Sequence, residues 1–90
     1  MYKVEQSTKF TRQLKKLRKR GYNMDLISHV VDVLASGQTL PPKYLDHALK
    51  GKWKTFRECH ITPDWLLIYK IKHDVLILVL QSTGTHSDLF

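Results

Sequence analysis

The 90-residue chain changes its spacing of apolar and polar positions from one stretch to the next. Residues 2–6 alternate, with Tyr2 and Val4 on one side and charged or polar residues between them, which predicts a short strand. From Phe10 the spacing turns helical: Phe10, Leu14 and Leu17 recur at i, i+4 and i+7, a single buried stripe. Ser7 or Thr8 is placed to cap this helix and Gly21 to end it, since helices often close on a left-handed residue. Asn23 is the next cap, and Asp25 suits the positive end of the following helix dipole. Leu26, Ile27, Val30, Val31 and Leu34 then form a wider apolar stripe, with Asp32 outward and Gly37 closing the helix. So short a connection predicts an antiparallel helical hairpin.

Thr39-Leu40-Pro41-Pro42 stops any helix, because proline lacks the N–H and disfavours helical backbone before it. Lys43–Trp53 has no clean period and is expected to be an ordered loop held by Tyr44, Leu45, Leu49 and Trp53. Lys54–Ile61 alternates weakly, Thr62-Pro63-Asp64 signals a turn, and Trp65–Ile71 is rich in aromatic and β-branched residues. After the turn Lys72-His73-Asp74, the apolar run Val75–Leu80 predicts a central strand covered on both faces, broken by Thr83-Gly84-Thr85. The order β-α-α-β-β-β predicts an α+β domain over residues 1–90: a mostly antiparallel meander with the helical hairpin on one face.

Composition narrows the function. Fifteen Lys and Arg against eight Asp and Glu give a net charge of +7, which points to a polyanion or an acidic partner. Seven of the twelve residues from Lys9 to Arg20 are basic: Lys9, Arg12, Lys15, Lys16, Arg18, Lys19 and Arg20. That helix surface suits nucleic-acid phosphates, although a solvated face has the same composition. Cys59 is the only cysteine, so an internal disulfide and a four-cysteine zinc site are excluded, as befits a reducing cytosol. There is no signal-peptide pattern, and the longest apolar stretches are too short to span a bilayer. A cytoplasmic protein without membrane contact is expected.

Of five histidines, four (His47, His60, His73 and His86) lie between the proline loop and the C-terminus. His60 and Asp64 flank a tight turn, so both belong at one edge of the sheet; His86 follows the Thr83-Gly84 break and His47 sits in the loop. RNA cleavage needs such a set, because the ribose 2′-OH must lose a proton while the 5′ oxygen gains one. Imidazoles exchange protons near neutral pH, and a carboxylate beside them orients or charges the ring. The same residues could form a His/carboxylate metal site, but neither a His-x-x-x-His spacing nor a paired-cysteine motif is present, so no metal or other cofactor is assigned. His29 and His73 read as surface residues, and Cys59 as a buried inert thiol.

Three blocks carry a family resemblance: Tyr44-Leu45-Asp46-His47-Ala48-Leu49-Lys50-Gly51-Lys52-Trp53, Phe56-Arg57-Glu58-Cys59-His60-Ile61-Thr62-Pro63-Asp64-Trp65-Leu66-Leu67-Ile68-Tyr69, and Thr83-Gly84-Thr85-His86-Ser87-Asp88-Leu89-Phe90. In this order and spacing they resemble the YafQ branch of the RelE-type mRNA endonuclease toxins. The resemblance implies the toxin of a type II toxin–antitoxin pair that cleaves mRNA in the ribosomal A site without a cofactor. It implies an active site of His47, His60, Asp64 and His86, with Trp65 and Phe90 shaping it or stacking on bases. The implied partners are ribosome-bound mRNA, 16S and 23S rRNA, and a cognate acidic antitoxin, with operator DNA reached only through the antitoxin complex. Where the family usually has an arginine before the Thr-Gly turn, this chain has Ser82. A hydroxyl does not replace a guanidinium, so either Arg57, Lys50, Lys52 or Lys54 supplies the charge or the activity is weakened. The alternative to an enzyme is a basic ribosome- or RNA-binding module neutralised by an antitoxin.

Overall fold

The computed structural model describes residues 1–90. In chain order the elements are β1 (Lys3–Gln6), α1 (Thr8–Lys19), α2 (Met24–Ala35), β2 (His47–Ala48), β3 (Arg57–Thr62), β4 (Trp65–Lys72), β5 (Ile77–Gly84) and α3 (His86–Leu89). Ser7 Oγ accepts from Phe10 N at 2.9 Å and Asn23 Oδ1 from Asp25 N at 3.0 Å, so both expected caps satisfy first-turn amides. Gly21 ends the first helix region at φ 89°, where a side chain would be strained.

The five strands form one mixed sheet in the order β1-β5-β4-β3-β2. β2 to β5 pair antiparallel and β1 runs parallel to β5 at the far edge, so the sheet is mostly antiparallel, as expected, with one parallel edge strand. The partner of β1 lies some seventy residues away, beyond anything a local pattern encodes. The α1–α2 hairpin covers one face of the sheet, and Phe10, Leu17, Ile27, Val30 and Leu34 meet Cys59, Ile61, Trp65, Leu67, Tyr69, Leu78 and Leu80 there. Two bonds key α1 to β5: Ser7 Oγ donates to Gln81 O at 2.7 Å, and Thr83 N donates to Gln13 Oε1 at 2.9 Å.

Three expectations change. The stretch Lys43–Trp53 is not plain loop: it holds two 3-10 turns, Pro42–Tyr44 and Gly51–Trp53, with β2 between them. Leu45 anchors nothing, being 59% exposed. β5 begins at Ile77 and runs through Thr83-Gly84, while Val75 and Leu76 are exposed at the hairpin tip. Gln13 satisfies the Thr83 amide, so the strand persists past the supposed break, and its alternate residues Ile77 and Val79 are only half-buried rather than enclosed on both faces.

Candidate active site

Alternation along β3 decides which side chains meet. Cys59 and Ile61 enter the helix-covered core, so Glu58 and His60 point to the opposite face. One row across that face follows the strand register from His47 through Glu58 and Ile68 to Ser82. His60 Nε2 and His47 Nε2 each lie 3.7 Å from the same oxygen, Glu58 Oε1. The Glu58 side chain is nearly buried between them. The other nitrogen of each ring faces a backbone carbonyl: His47 Nδ1 is 2.7 Å from Leu45 O, and His60 Nδ1 is 3.3 Å from Pro63 O. A carbonyl only accepts, so Nδ1 carries the proton in both rings and Nε2 is left to exchange one. Leu45 turns its carbonyl toward His47 from a left-handed conformation, φ 50°, which is uncommon outside glycine and asparagine.

The third imidazole comes from the end of the chain. Thr85 and Asp88 form a capping box that starts α3 at His86. A β-carbon on Gly84 would lie 2.8 Å from Asp88 Cβ, so only glycine lets α3 fold back this tightly. His86 Nδ1 donates to Asp64 Oδ1 at 2.6 Å, and the His86 amide points to the same oxygen at 3.3 Å. These two bonds, the side-chain one first, hold the Asp64 carboxyl below its ordinary range. With Nδ1 engaged, Nε2 of His86 is the nitrogen free to act. Ring centroids of His47 and His60 are 6.4 Å apart and those of His60 and His86 are 5.8 Å apart, a continuous line of three.

The sequence-named residues divide. His47, His60, Asp64 and His86 come together. Glu58 joins them unnoticed in the sequence, although its place two residues before His60 was the available signal. Arg57 does not join them: it lies on the opposite side of β3, donating to Asp46 from Nε and Nη2 at 3.3 Å each. Trp65 is core, 1% exposed, with Nε1 donating to Thr83 Oγ1 at 2.9 Å and its ring edge-on to Tyr22, so no base can stack on it. Phe90, 68% exposed beyond α3, remains open to solvent. Lys50, Lys52 and Lys54 are exposed around the Gly51–Trp53 turn. Lys9, Arg12, Lys15, Lys16, Arg18 and Lys19 are exposed along α1, whereas Arg20 donates to Asp88 Oδ2 at 3.0 Å and so braces α3. Ser82 is buried at the end of the row, and no trio of His, Cys, Asp or Glu is arranged to hold a metal ion. His29 is exposed on α2, and His73 shares a hydrogen bond with Tyr2 Oη at 3.0 Å at the far end of the sheet. Burial pushes the Cys59 thiol up to about 12, consistent with an inert core residue.

Residues 2–90 match the family described as the bacterial toxin of type II toxin–antitoxin system, YafQ. The chain belongs to the YafQ family. The mRNA interferase toxin YafQ of Escherichia coli K12 is 36% identical over 88 residues, 97% of this chain and 94% of that protein. A metal-bound toxin from Helicobacter pylori is 50% identical, superposes with a TM-score of 0.94 and is covered in full, as is this chain. YafQ in the Escherichia coli DinJ–YafQ complex is 35% identical with a TM-score of 0.91, over 100% of this chain and 99% of that one. The mixed sheet with its helical hairpin is thus the YafQ fold. No helix is long and apolar enough to cross a membrane.

Proposed function

We propose that this toxin is a ribosome-dependent mRNA endoribonuclease working by histidine and carboxylate proton transfer, without a metal. The observation that carries the reading is the line of three imidazoles, each with Nδ1 engaged and Nε2 left for proton exchange. A base at one end of the line takes the 2′-OH proton, the 2′ oxygen attacks phosphorus, and the P–O5′ bond breaks. The leaving 5′ oxygen takes a proton from an acid, giving a 2′,3′-cyclic phosphate and a 5′-OH. His86 Nε2 is the acid, since ionised Asp64 holds Nδ1–H and steadies the imidazolium. His47 and His60 divide base and orienting duties on either side of Glu58, whose carboxylate attracts whichever ring has taken up a proton at Nε2.

Charge on the phosphorane falls to imidazolium N–H groups and to Lys50, Lys52 or Lys54, because Ser82 is neutral and Arg57 faces away. Loss of one electrostatic donor costs about 10²–10³ in rate, so Ser82 makes this a slower enzyme than one with an arginine there. The basic face of α1 rests on rRNA phosphates and attracts a cognate acidic antitoxin; that there is an antitoxin partner is supported by the Escherichia coli relative's assembly with DinJ. Operator DNA would be met only through that antitoxin, and the working compartment is the cytoplasm.

The test is to map mRNA 5′ ends on stalled ribosomes with wild type, His86→Ala and Asp64→Ala, with and without EDTA. Cuts at the A site that persist in EDTA and fall by roughly 10²-fold or more in His86→Ala are expected. Cuts abolished by EDTA would overturn the metal-free chemistry. Growth arrest without cuts would leave a binding module.

A further inference from the structure

A hollow of ≈550 Å³ opens near the histidine line, lined by Leu26 of α2, Lys43 and Tyr44 of the first 3-10 turn, Leu45 just after it, Thr62 at the end of β3 and Pro63 in the turn that follows. His60 and Ile61 of β3 complete its lining, so a molecule seated there borders the strand that carries the middle imidazole of the line. Its volume lies within the range of small-ligand clefts, and its lining is largely apolar with few polar groups.

We propose that this hollow receives one nucleobase of the RNA neighbouring the scissile bond, held between Leu26, Leu45 and Tyr44, with Lys43 on the attached phosphate. The inference rests on the endoribonuclease reading and adds the base-selecting site to it. Three observations support it. Leu26 and Leu45 are large apolar side chains left 42% and 59% exposed, and both line the hollow, so it offers apolar surface to a planar ring. Lys43 Nζ lies 5.1 Å from the Tyr44 ring centroid, so a cation is held over the aromatic ring at the wall of the hollow, where a phosphate can pair with it. Leu45 holds a left-handed conformation while exposed, so a leucine there is strained without gaining burial. The left-handed turn that aims the Leu45 carbonyl at His47 also leaves its side chain exposed on the wall of the hollow, where a base can cover it.

Stability and binding therefore make opposite demands at Leu45. Leu45→Asn suits the left-handed backbone and should keep or raise the melting temperature. The same change removes a wall of the hollow. On ribosomes programmed with mRNAs differing in one A-site nucleotide, Leu45→Asn and Leu26→Ser should raise KM by roughly 10-fold. They should level the preference among bases; Leu26→Ser, which touches none of the histidines, should leave kcat within about 3-fold, and Val75→Ser at the distant hairpin tip should change neither quantity. Wild-type cleavage with unaltered KM and base preference in both variants would overturn the hollow while leaving the nuclease intact. A loss confined to antitoxin affinity would assign the hollow to a protein partner and overturn it equally. If no ribosome-bound mRNA is cut, amide shifts on titrating AMP, GMP, CMP and UMP into the labelled toxin decide. Shifts at Leu26, Tyr44, Leu45 and Thr62 would support the base site, and their absence would overturn it.

Discussion

Asp46 is the residue whose loss should separate the platform that carries His47 from the rest of the sheet. Its Oδ1 accepts from Tyr69 Oη at 2.6 Å, and the two carboxylate oxygens receive Arg57 Nε and Nη2 at 3.3 Å. The components differ in worth. Tyr69 is 1% exposed, so removing the acceptor strands a buried hydroxyl beside a lost charged bond, about 1.5–3 kcal/mol. The Arg57 side chain is 42% exposed and its bonds are long, so it turns to water and contributes only about 0.5 kcal/mol. Asp46→Ala should therefore cost about 2–3.5 kcal/mol, which for a domain of this size lowers Tm by roughly 10–20 °C. Tyr69→Phe keeps the ring in the core and lets Asp46, 19% exposed, regain water, so about 1–1.5 kcal/mol is expected.

The double variant is the discriminating measurement. With Phe at 69 no hydroxyl is stranded, so Asp46→Ala/Tyr69→Phe should be more stable than Asp46→Ala alone, by about 1–3 kcal/mol. Urea denaturation of the three variants, at constant m-value, reads this directly. Additive losses, or an Asp46→Ala cost below about 1 kcal/mol, would refute the clamp. If the clamp positions His47, Asp46→Ala should also slow cleavage at temperatures where it is fully folded, by lowering kcat rather than raising KM.

Stability should fall in alkali for a reason fixed in the core. Burial first, then nearby Asp46, raises the Cys59 thiol to about 12, and burial first, then the bond to Asp46, raises the Tyr69 hydroxyl above its ordinary value. Both keep protons in the folded state that the unfolded chain releases, so their contribution is whole below pH ~9 and declines as pH rises past it, by up to about 1.4 kcal/mol per unit per proton. Urea midpoints from pH 8 to 11 should drop, and more shallowly in Cys59→Ala; equal slopes would refute the thiol's part. Ser82→Arg should restore a guanidinium to the His47–Glu58–Ile68–Ser82 row and raise single-turnover cleavage by about 10-fold or more. An unchanged rate in a folded variant would show that imidazolium and lysine charge already suffice.

Helix positions and caps were legible because they depend on neighbours: Ser7, Asn23 and Gly21 act within one turn of themselves. What escaped the sequence depends on partners far along the chain. β1 could not announce its parallel pairing with β5, and β5 could not reveal that Gln13, seventy residues away, satisfies the Thr83 amide while the strand runs on to Gly84. The two-residue β2 was invisible because Lys43–Trp53 has no period, yet it is the element that sets His47 opposite Glu58.

The division of the candidate site follows from the period of two in a strand. Arg57, Cys59 and Ile61 share one side of β3 and Glu58 and His60 the other, so chemistry and core are interleaved residue by residue. Counting from the buried Cys59 would have excluded Arg57 as the substitute cation and admitted Glu58 as the carboxylate between two rings. Charge and proximity in the sequence favoured Arg57, but a strand presents its side chains by parity, and Arg57 has the parity of the thiol. Asp64 escapes that parity because it lies in the turn between β3 and β4, outside either strand; its carboxylate accepts from the first residue of α3, and so the C-terminal histidine joins the line.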